Sequence, residues 1–524
     1  MIGDFEGLPT DAPLDADVCV IGAGPAGIAI AREFLGSGTR VLLVESGGLD
    51  QDDAVDGPLN DAENVGLALP TLYDGRTRAF GGATKLWPGQ CVRLDAADFE
   101  RRDWVPDSGW PIGRTDLDPF YDRAEAWFGM PAESSDDQAW HRFGMTPPPF
   151  DGLVHRTSMY TPFPDVGTHC RAEFAQSPNV RVLLGATVAR IRTGPDGAAE
   201  RAEIRTRDGR VGEVSARVFV LAGGGVENAR MLLLSDLGND HDVVGRYFQE
   251  HPTIWVDLDV DAPEALQRFY GRLGRRTIRY LPKIRLAERV QRERRTLSAV
   301  SDILFDLTET VGVRSARELS SALQDRRRPV GVGPAQLWGA VRELDRVALG
   351  AYRRFAQGRP STAPWDRAQL KILVEQAPHR DSRVTLSEQP DALGLPKARV
   401  DWRLTELDRH TTRSMTGIMD SELRRLGLAR LRGPEWLDDD DWTDHVEEGC
   451  HHMGTTRMST DPRSGVVDAD CGVHGVAGLY ACGSSVFPTG GYANPTLTIV
   501  ALALRLADHV KITLARGARV NATP

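Results

Sequence analysis

The stretch from Asp17 to Ser46, DVCVIGAGPAGIAIAREFLGSGTRVLLVES, decides the fold. It contains two short apolar runs separated by a glycine-rich turn and a segment in which apolar residues recur at helical spacing. The order strand, turn, helix, strand is typical of a βαβ unit, in which a helix joins two parallel strands. We therefore predict a parallel sheet near the N-terminus and an α/β fold class.

The turn itself carries Gly22, Gly24 and Gly27 in the pattern G-x-G-x-x-G. The first glycine permits a tight turn, the second lets the backbone approach a pyrophosphate, and the third lets helix and strand pack closely. Glu45 ends the second strand, where an acid can accept hydrogen bonds from both hydroxyls of an adenosine ribose. The turn predicts a dinucleotide site, and its spacing alone does not separate NAD from FAD.

Size and the recurrence of apolar runs predict two domains. A chain of 524 residues exceeds the size at which one hydrophobic core stops growing. Runs comparable to the first strand recur at Ala216–Gly224 and Gly478–Ser484, which predicts that distant segments share one sheet. We predict a discontinuous nucleotide-binding domain formed by residues 1–110, 165–261 and 445–524, and a second domain formed by residues 111–164 and 262–444.

Composition excludes several classes of partner. The net charge of −11 disfavours nucleic acid, whose phosphates need a cationic surface. No segment reaches the ~18 uninterrupted apolar residues of a membrane span, and the acidic N-terminus lacks the features of a secretory signal, so we expect a cytoplasmic protein. Six scattered cysteines without a CxxC pair predict neither a metal site nor an iron-sulfur cluster. Apolar spacing from Pro334 to Gly358 predicts an amphipathic helix packed on its own domain.

Several short motifs lie toward the C-terminus. His451–Met458 reads HHMGTTRM and Asn494–Thr498 reads NPTLT, with GVVD, VHGV and GSSVFPT between them. Together with the glycine turn, the block FGGATKLW at Phe80–Trp87 and AGGGVENARMLL from Ala222, they resemble the glucose-methanol-choline (GMC) oxidoreductase family. Within it the chain is similar to pyranose oxidases and bacterial FAD-dependent sugar dehydrogenases. The resemblance spans both ends of the chain and thins between residues 262 and 365.

The resemblance implies a Rossmann-like, glutathione-reductase-type FAD-binding domain and an α+β substrate domain on an antiparallel sheet. It implies oxidation of an alcohol group, in particular a sugar or glycoside hydroxyl, to a carbonyl by hydride transfer to flavin N5. The catalytic base falls on His451 and its partner on Asn494. Chemistry favours this pair, because hydride loss from a carbinol carbon requires a base that accepts the hydroxyl proton. His452 is the alternative base, and residues adjacent on extended chain point to opposite sides.

The same resemblance assigns the remaining contacts to the cofactor. Leu86 stands where pyranose oxidases carry the histidine that bonds covalently to the flavin, so we expect non-covalent FAD. The family's contacts to the flavin ring, the pyrophosphate and the adenine fall on Gly81, Gly82, Ala83, Thr84, Val188, Ala222, Gly223, Gly483 and Ser484.

Two other functions remain open at this point. An NAD(P)H-dependent FAD monooxygenase shares the N-terminal βαβ unit but has no need of the C-terminal histidine and asparagine. A flavin-binding protein without redox turnover is the second alternative. For an alcohol oxidoreductase, the expected partners are a small-molecule alcohol and an electron acceptor, which is dioxygen, a quinone or a protein.

Overall fold

The computed structural model of the protein describes residues 1–8, 14–52, 57–131, 140–275, 278–307 and 365–520. The predicted helix at 334–358 lies outside these ranges. The strands are β1 (Ile2–Asp4), β2 (Leu14–Ile21), β3 (Val41–Val44), β4 (Ala62–Asn64), β5 (Gln90–Cys91), β6 (Leu153–Tyr160), β7 (Val180–Leu184), β8 (Thr187–Thr193), β9 (Ala199–Arg205), β10 (Val211–Leu221), β11 (Thr253–Val260), β12 (Leu273–Arg275), β13 (Ile278–Leu286), β14 (Ala299–Leu307), β15 (Trp365–Val374), β16 (Arg383–Pro390), β17 (Pro396–Asp401), β18 (Ala429–Leu431) and β19 (Leu479–Ala481). The helices are α1 (Pro25–Arg32), α2 (Thr71–Asp74), α3 (Ala96–Phe99), α4 (Arg114–Trp127), α5 (Val166–Gln176), α6 (Gly224–Ser235), α7 (Pro263–Tyr270), α8 (Glu288–Arg294), α9 (Glu406–Arg425) and α10 (Thr496–Val520).

The first sheet is built around the predicted βαβ unit. β2 and β3 pair in parallel, and α1 connects them. The strand order is β1-β7-β3-β2-β10-β9-β8, with β19 alongside β10. In this order the strands from β1 through β7, β3 and β2 to β10 pair in parallel, as do β10 and β19. The pairs of β10 with β9 and of β9 with β8 are antiparallel. Every residue of β3 is buried, which explains its uninterrupted apolar sequence.

Parallel pairing brings the carboxyl ends of four strands to one edge of this sheet. β2 leads into Gly22, β3 into Glu45, β10 into Ala222 and β19 into Cys482. Ligands of open parallel sheets bind at this edge, where loops and helix N-termini meet. The apolar runs predicted to share one sheet, those of β10 and β19, are direct neighbours in it.

The second sheet is antiparallel. Its order is β18-β11-β15-β14-β13-β6-β5, with β12 paired to β13. α9 begins after Thr405, whose hydroxyl accepts a hydrogen bond from the Leu407 amide, and it packs Met415, Met419 and Leu423 into the core of this sheet. The predicted fold class, a Rossmann-like sheet plus a second domain on an antiparallel sheet, is confirmed.

The predicted domain boundaries stay a prediction. β5 and β11 fall within segments assigned to the nucleotide-binding domain, yet both strands pair within the second sheet. A third, small sheet joins β16, β17 and β4 and so connects segments far apart in sequence. Among the helices in the described ranges, none has the length and apolar content that crossing a bilayer requires.

Candidate active site

The glycine turn between β2 and α1 has three different local environments. Gly22 adopts φ = 102°, a conformation that favours glycine. A methyl group on Gly27 would lie 1.9 Å from the carbonyl oxygen of Gly22, so only hydrogen fits between helix and strand. At Gly24 nothing lies within 4 Å of the position a Cβ would take, so the turn is open on that side. This open side, next to the N-terminus of α1, is where a phosphate-bearing ligand fits.

Glu45 stabilises the same turn by hydrogen bonds. Its carboxylate accepts hydrogen bonds from the Ala23 amide at 2.8 Å and from the Gly47 amide at 2.9 Å. The side chain is buried at the cavity wall, and burial raises its pKa. Because a carboxylate offers about four acceptor positions, Glu45 can also accept hydrogen bonds from ribose hydroxyls.

A second glycine segment lies across the first. Gly81 adopts φ = 116° and Gly82 adopts φ = 56°. A Cβ on Gly82 would lie 2.8 Å from Gly24 Cα, so the two segments approach more closely than a side chain allows. The Thr84 hydroxyl donates to the Gly81 carbonyl at 2.6 Å and accepts from the Val166 amide at 3.3 Å, which fixes this loop against α5.

Most of the predicted site residues line one cavity of about 600 Å³. Gly27, Gly81 and Gly483 do not line it. Gly27 and Gly81 act through backbone packing, and Gly483 precedes a lining residue with φ = 116°. The predicted residues that line the cavity are Gly22, Gly24, Glu45, Gly82, Ala83, Thr84, Val188, Ala222, Gly223, His451, Ser484 and Asn494.

His451 and Asn494 meet in this cavity. His451 lies in the extended segment before Met453, which bridges to Gln249, and Asn494 lies just before α10. Asn494 Nδ2 is 3.4 Å from His451 Nε2. His451 Nδ1 is 2.8 Å from Nδ1 of His251, a residue that the sequence reasoning did not single out. An imidazole and an amide thus face one region of the cavity, where they can bind one oxygen atom together.

The segment that contains His451 and Asn494 matches the model of a known protein family. Residues 378–503, which contain both His451 and Asn494, match the GMC oxidoreductase model. This segment of the chain is therefore a GMC oxidoreductase C-terminal domain. The resemblance noted in the sequence is therefore confirmed.

Relatives that are similar to this chain include oxidases and a dehydrogenase. Paromamine 6'-oxidase of Streptomyces fradiae is 26% identical, with 94% of this chain and 91% of the relative covered. A 2-methyl-1,2-propanediol dehydrogenase of Mycolicibacterium austroafricanum is 24% identical, with 94% and 95% covered. A C-glycoside 3-oxidase of Microbacterium trichothecenolyticum is 32% identical, over 33% of this chain and 32% of the relative.

Solved structures share the fold. A fungal aryl-alcohol oxidase superposes with a TM-score of 0.58 at 17% identity, covering 96% of this chain and 100% of the other. The pyridoxine 4-oxidase of Mesorbium loti superposes with a TM-score of 0.55 at 18% identity, covering 94% and 99%.

His452 occupies a different environment from its neighbour. Its Nε2 lies 3.5 Å from Oε1 of the fully buried Glu250, and neither atom has a hydrogen bond to any other described residue. The other Glu250 oxygen accepts hydrogen bonds from the His251 amide at 3.0 Å and the Gly449 amide at 3.1 Å. Glu250 therefore ties the segment that carries His451 to the start of β11. Sequence reasoning missed it, because an acid before a histidine carries no signal by itself.

Burial sets the protonation of the histidines. It is the largest cause that holds the pKa of His451 well below its usual value, followed by the neighbouring His251 and Lys371. Burial also lowers the pKa of His452 to about 3 and raises the pKa of Glu250 to about 8. His451 is consequently neutral near pH 7, which is the form that can accept a proton.

A charged trio from the second sheet also lines the cavity. Lys283 on β13 pairs with Asp302 on β14 at 2.9 Å, and Asp302 lies directly opposite Lys371 on β15. Lys283 and Asp302 are both buried. These residues were not predicted, since only the register of three strands brings them together.

Arginines dominate another part of the cavity wall. Arg76 and Arg78 both pair with Glu227, at 2.9 and 3.1 Å, and Arg230 pairs with Glu227 at 3.2 Å and with Asp391 at 2.5 Å. Three guanidinium groups thus stand on the cavity wall, and guanidinium groups are well suited to binding phosphate oxygens. In a chain rich in arginine, no sequence signal marks these three.

Proposed function

We propose that this GMC oxidoreductase oxidises a hydroxyl of a sugar or glycoside to a carbonyl, with His451 as the base and FAD as the cofactor. The observation that carries the proposal is the convergence of His451 and Asn494 in the cavity that the two glycine segments also line. The comparisons do not favour the monooxygenase or the redox-inactive protein considered from the sequence.

The residues that would hold FAD fit a dinucleotide. The open side of Gly24, the close approach of Gly82 and the buried Glu45 form a cradle at the carboxyl ends of the parallel strands. When bound there, the flavin supplies the acceptor for the hydride.

The protein's own side chains supply binding and proton transfer. A substrate hydroxyl that donates to His451 Nε2 can accept a hydrogen bond from Asn494 Nδ2, so both groups fix the same oxygen. His451 then takes the hydroxyl proton as the hydride leaves the carbon. Asn494 restrains the direction of the C–H bond, and such positioning lowers the entropic part of the barrier.

The charged trio supports a polyhydroxylated substrate. A carboxylate such as Asp302 accepts hydrogen bonds from hydroxyls, whereas the ammonium groups of Lys283 and Lys371 donate to them. Gln90, on the cavity wall, can do both. Relatives that act on paromamine and on C-glycosides agree with a sugar-like compound. The acceptor of the electrons is dioxygen or another oxidant, since both oxidases and dehydrogenases occur among the relatives.

The FAD is held without a covalent link. Leu86 lines the cavity where pyranose oxidases have their flavin-bound histidine, and leucine offers no nucleophile. Denaturation with acid should release FAD into the supernatant. Flavin that stays with the precipitated chain would contradict this part of the proposal.

An anaerobic spectrum tests the proposal as a whole. Purified holoenzyme is mixed with D-glucose, D-xylose, methyl β-D-glucoside and paromamine in turn, without nicotinamide. We expect one of these compounds to bleach the flavin band, and admission of air then separates oxidase from dehydrogenase by the rate of return. If the panel leaves the flavin oxidised while NADPH reduces it, the NAD(P)H-dependent monooxygenase becomes the favoured function and the proposal fails.

A further inference from the structure

A second histidine, His251, contacts the ring nitrogen of His451 that faces away from Asn494. His251 precedes β11 and is fully buried. Its Nδ1 lies 2.8 Å from Nδ1 of His451, although the two residues are 200 positions apart. Its Nε2 lies 2.8 Å from the carbonyl oxygen of Gly491. Both ring nitrogens of His251 are therefore engaged, one by the proposed base and one by the backbone.

The backbone contact fixes where the protons are. A carbonyl oxygen only accepts, so His251 Nε2 must carry the hydrogen in that bond. In a neutral imidazole the other nitrogen is then an acceptor, and the hydrogen between the two rings must belong to His451 Nδ1. His451 Nε2 is left with a free lone pair on the side that faces Asn494.

Geometry supports a directed hydrogen bond between the rings. Their centres are 4.9 Å apart and their planes cross at 83°, so the rings are not stacked, and the two Nδ1 atoms face each other between them. Burial lowers the pKa of His251 to about 4, which keeps the ring neutral near pH 7. The charged groups that act on it are Glu375 and Lys283, which oppose each other in sign.

The surroundings hold His251 in place. A carboxyl oxygen of Glu250 accepts from the His251 amide at 3.0 Å, and the Thr253 hydroxyl donates to the His251 carbonyl at 3.1 Å. A Cβ on Gly490 would lie 3.5 Å from His251 Nε2, so the backbone closes over the ring. The residue is fully buried, and its backbone amide, its backbone carbonyl and both ring nitrogens have hydrogen-bond partners.

We propose that His251 is a positioning residue which holds His451 in the tautomer with a lone pair on Nε2, so that the base is ready before substrate binds. This inference rests on the proposed role of His451. The series of hydrogen bonds from His451 through His251 ends at the carbonyl of Gly491, so no proton leaves by this route. After proton transfer, His451 carries hydrogens on both nitrogens, and His251 stabilises that cation by accepting from Nδ1.

Two substitutions separate tautomer control from simple packing. In His251→Asn the Oδ1 atom takes the place of Nδ1 and still accepts from His451, but the bond to Gly491 is lost. In His251→Gln the amide reaches the position of Nε2 and can donate to Gly491, but no acceptor remains for His451. We expect the asparagine variant to reduce its flavin within roughly tenfold of wild type and the glutamine variant to lose roughly a hundredfold or more, the scale of a misplaced base.

The rates are measured anaerobically with whichever compound of the panel reduces wild-type flavin fastest, at equal bound FAD. A purely structural role predicts the opposite order or no difference between the variants, and either result would overturn the proposal. If His451→Ala reduces its flavin at the wild-type rate, the proposed function fails instead, so the two failures are distinguishable.

A measurement on the wild-type protein does not depend on how the variants fold. In protein labelled with ¹⁵N-histidine, His451 is assigned by comparison with His451→Gln. At pH 7 we expect a protonated signal for its Nδ1 and an unprotonated signal for its Nε2. A protonated Nε2 would refute the proposal regardless of any rate.

Discussion

The two walls of the cavity are built in different ways. The nucleotide wall follows the strands of the first sheet and consists largely of backbone, because Gly22, Gly24 and Gly82 offer main chain at close range. The substrate wall consists of side chains, which come from β13, β14, β15 and the segment around His451. A backbone cradle suits a constant cofactor, whereas a wall of side chains can change its chemistry by substitution without loss of the fold.

On the nucleotide wall the largest effect should come from adding one methyl group. Gly27→Ala places a Cβ 1.9 Å from the Gly22 carbonyl oxygen, so we expect loss of bound FAD together with a large drop in the thermal unfolding temperature. Gly24→Ala is the matched control, since its Cβ meets nothing within 4 Å. It should fold normally and only weaken FAD binding. Equal behaviour of the two variants would contradict the roles given to these glycines.

On the substrate wall the largest effect should come from breaking an ion pair. Asp302→Asn leaves the buried ammonium of Lys283 without its counter-charge, which we expect to lower the free energy of unfolding by about 3–5 kcal/mol in urea titrations. The double variant Lys283→Met with Asp302→Leu removes both charges and should cost less than the single change. A single variant as stable as wild type would show that the pair is not buried as described.

A subtler test concerns Glu250, which holds the segment of His451. Burial raises the pKa of Glu250 to about 8, so its carboxyl binds a proton in the folded chain that it has already lost in the unfolded chain. Its contribution to stability is therefore complete below about pH 4.5 and is lost as the pH rises through about 8.

In Glu250→Gln this loss is absent, because the amide does not ionise. The difference in unfolding temperature between the variant and wild type should shift in favour of the variant as the pH rises from 5 to 9. The amide can still accept from the backbone and donate to His452. A difference that stays constant with pH would contradict the raised pKa.

The two walls also differ in how far the sequence predicts them. Gly22 to Gly27 form a local pattern of six residues, so their turn and the parallel sheet could be predicted without tertiary information. His451 and Asn494 were identified because they lie in family motifs. His251, Glu250 and the charged trio could not be found, since their meaning depends on partners up to 200 residues away and on strand register.

The arginine group around Glu227 shows the same limit. Arg76 and Arg78 precede the block FGGATKLW, but nothing in their spacing relates them to α6, where Glu227 and Arg230 lie. The domain boundaries stay a prediction, and the pairing of β5 and β11 within the second sheet could not be read from the sequence. The local βαβ unit and the shared sheet of β10 and β19 were predictable, whereas contacts between the side chains of distant segments were not.

The most direct test of the central claim is the rate of flavin reduction in His451→Ala, measured by anaerobic rapid mixing against wild type at equal FAD content. With the best compound of the panel, we expect the variant to keep its FAD and to be reduced roughly a hundredfold more slowly, because no base accepts the hydroxyl proton. Reduction at the wild-type rate would remove His451 from catalysis and contradict the account.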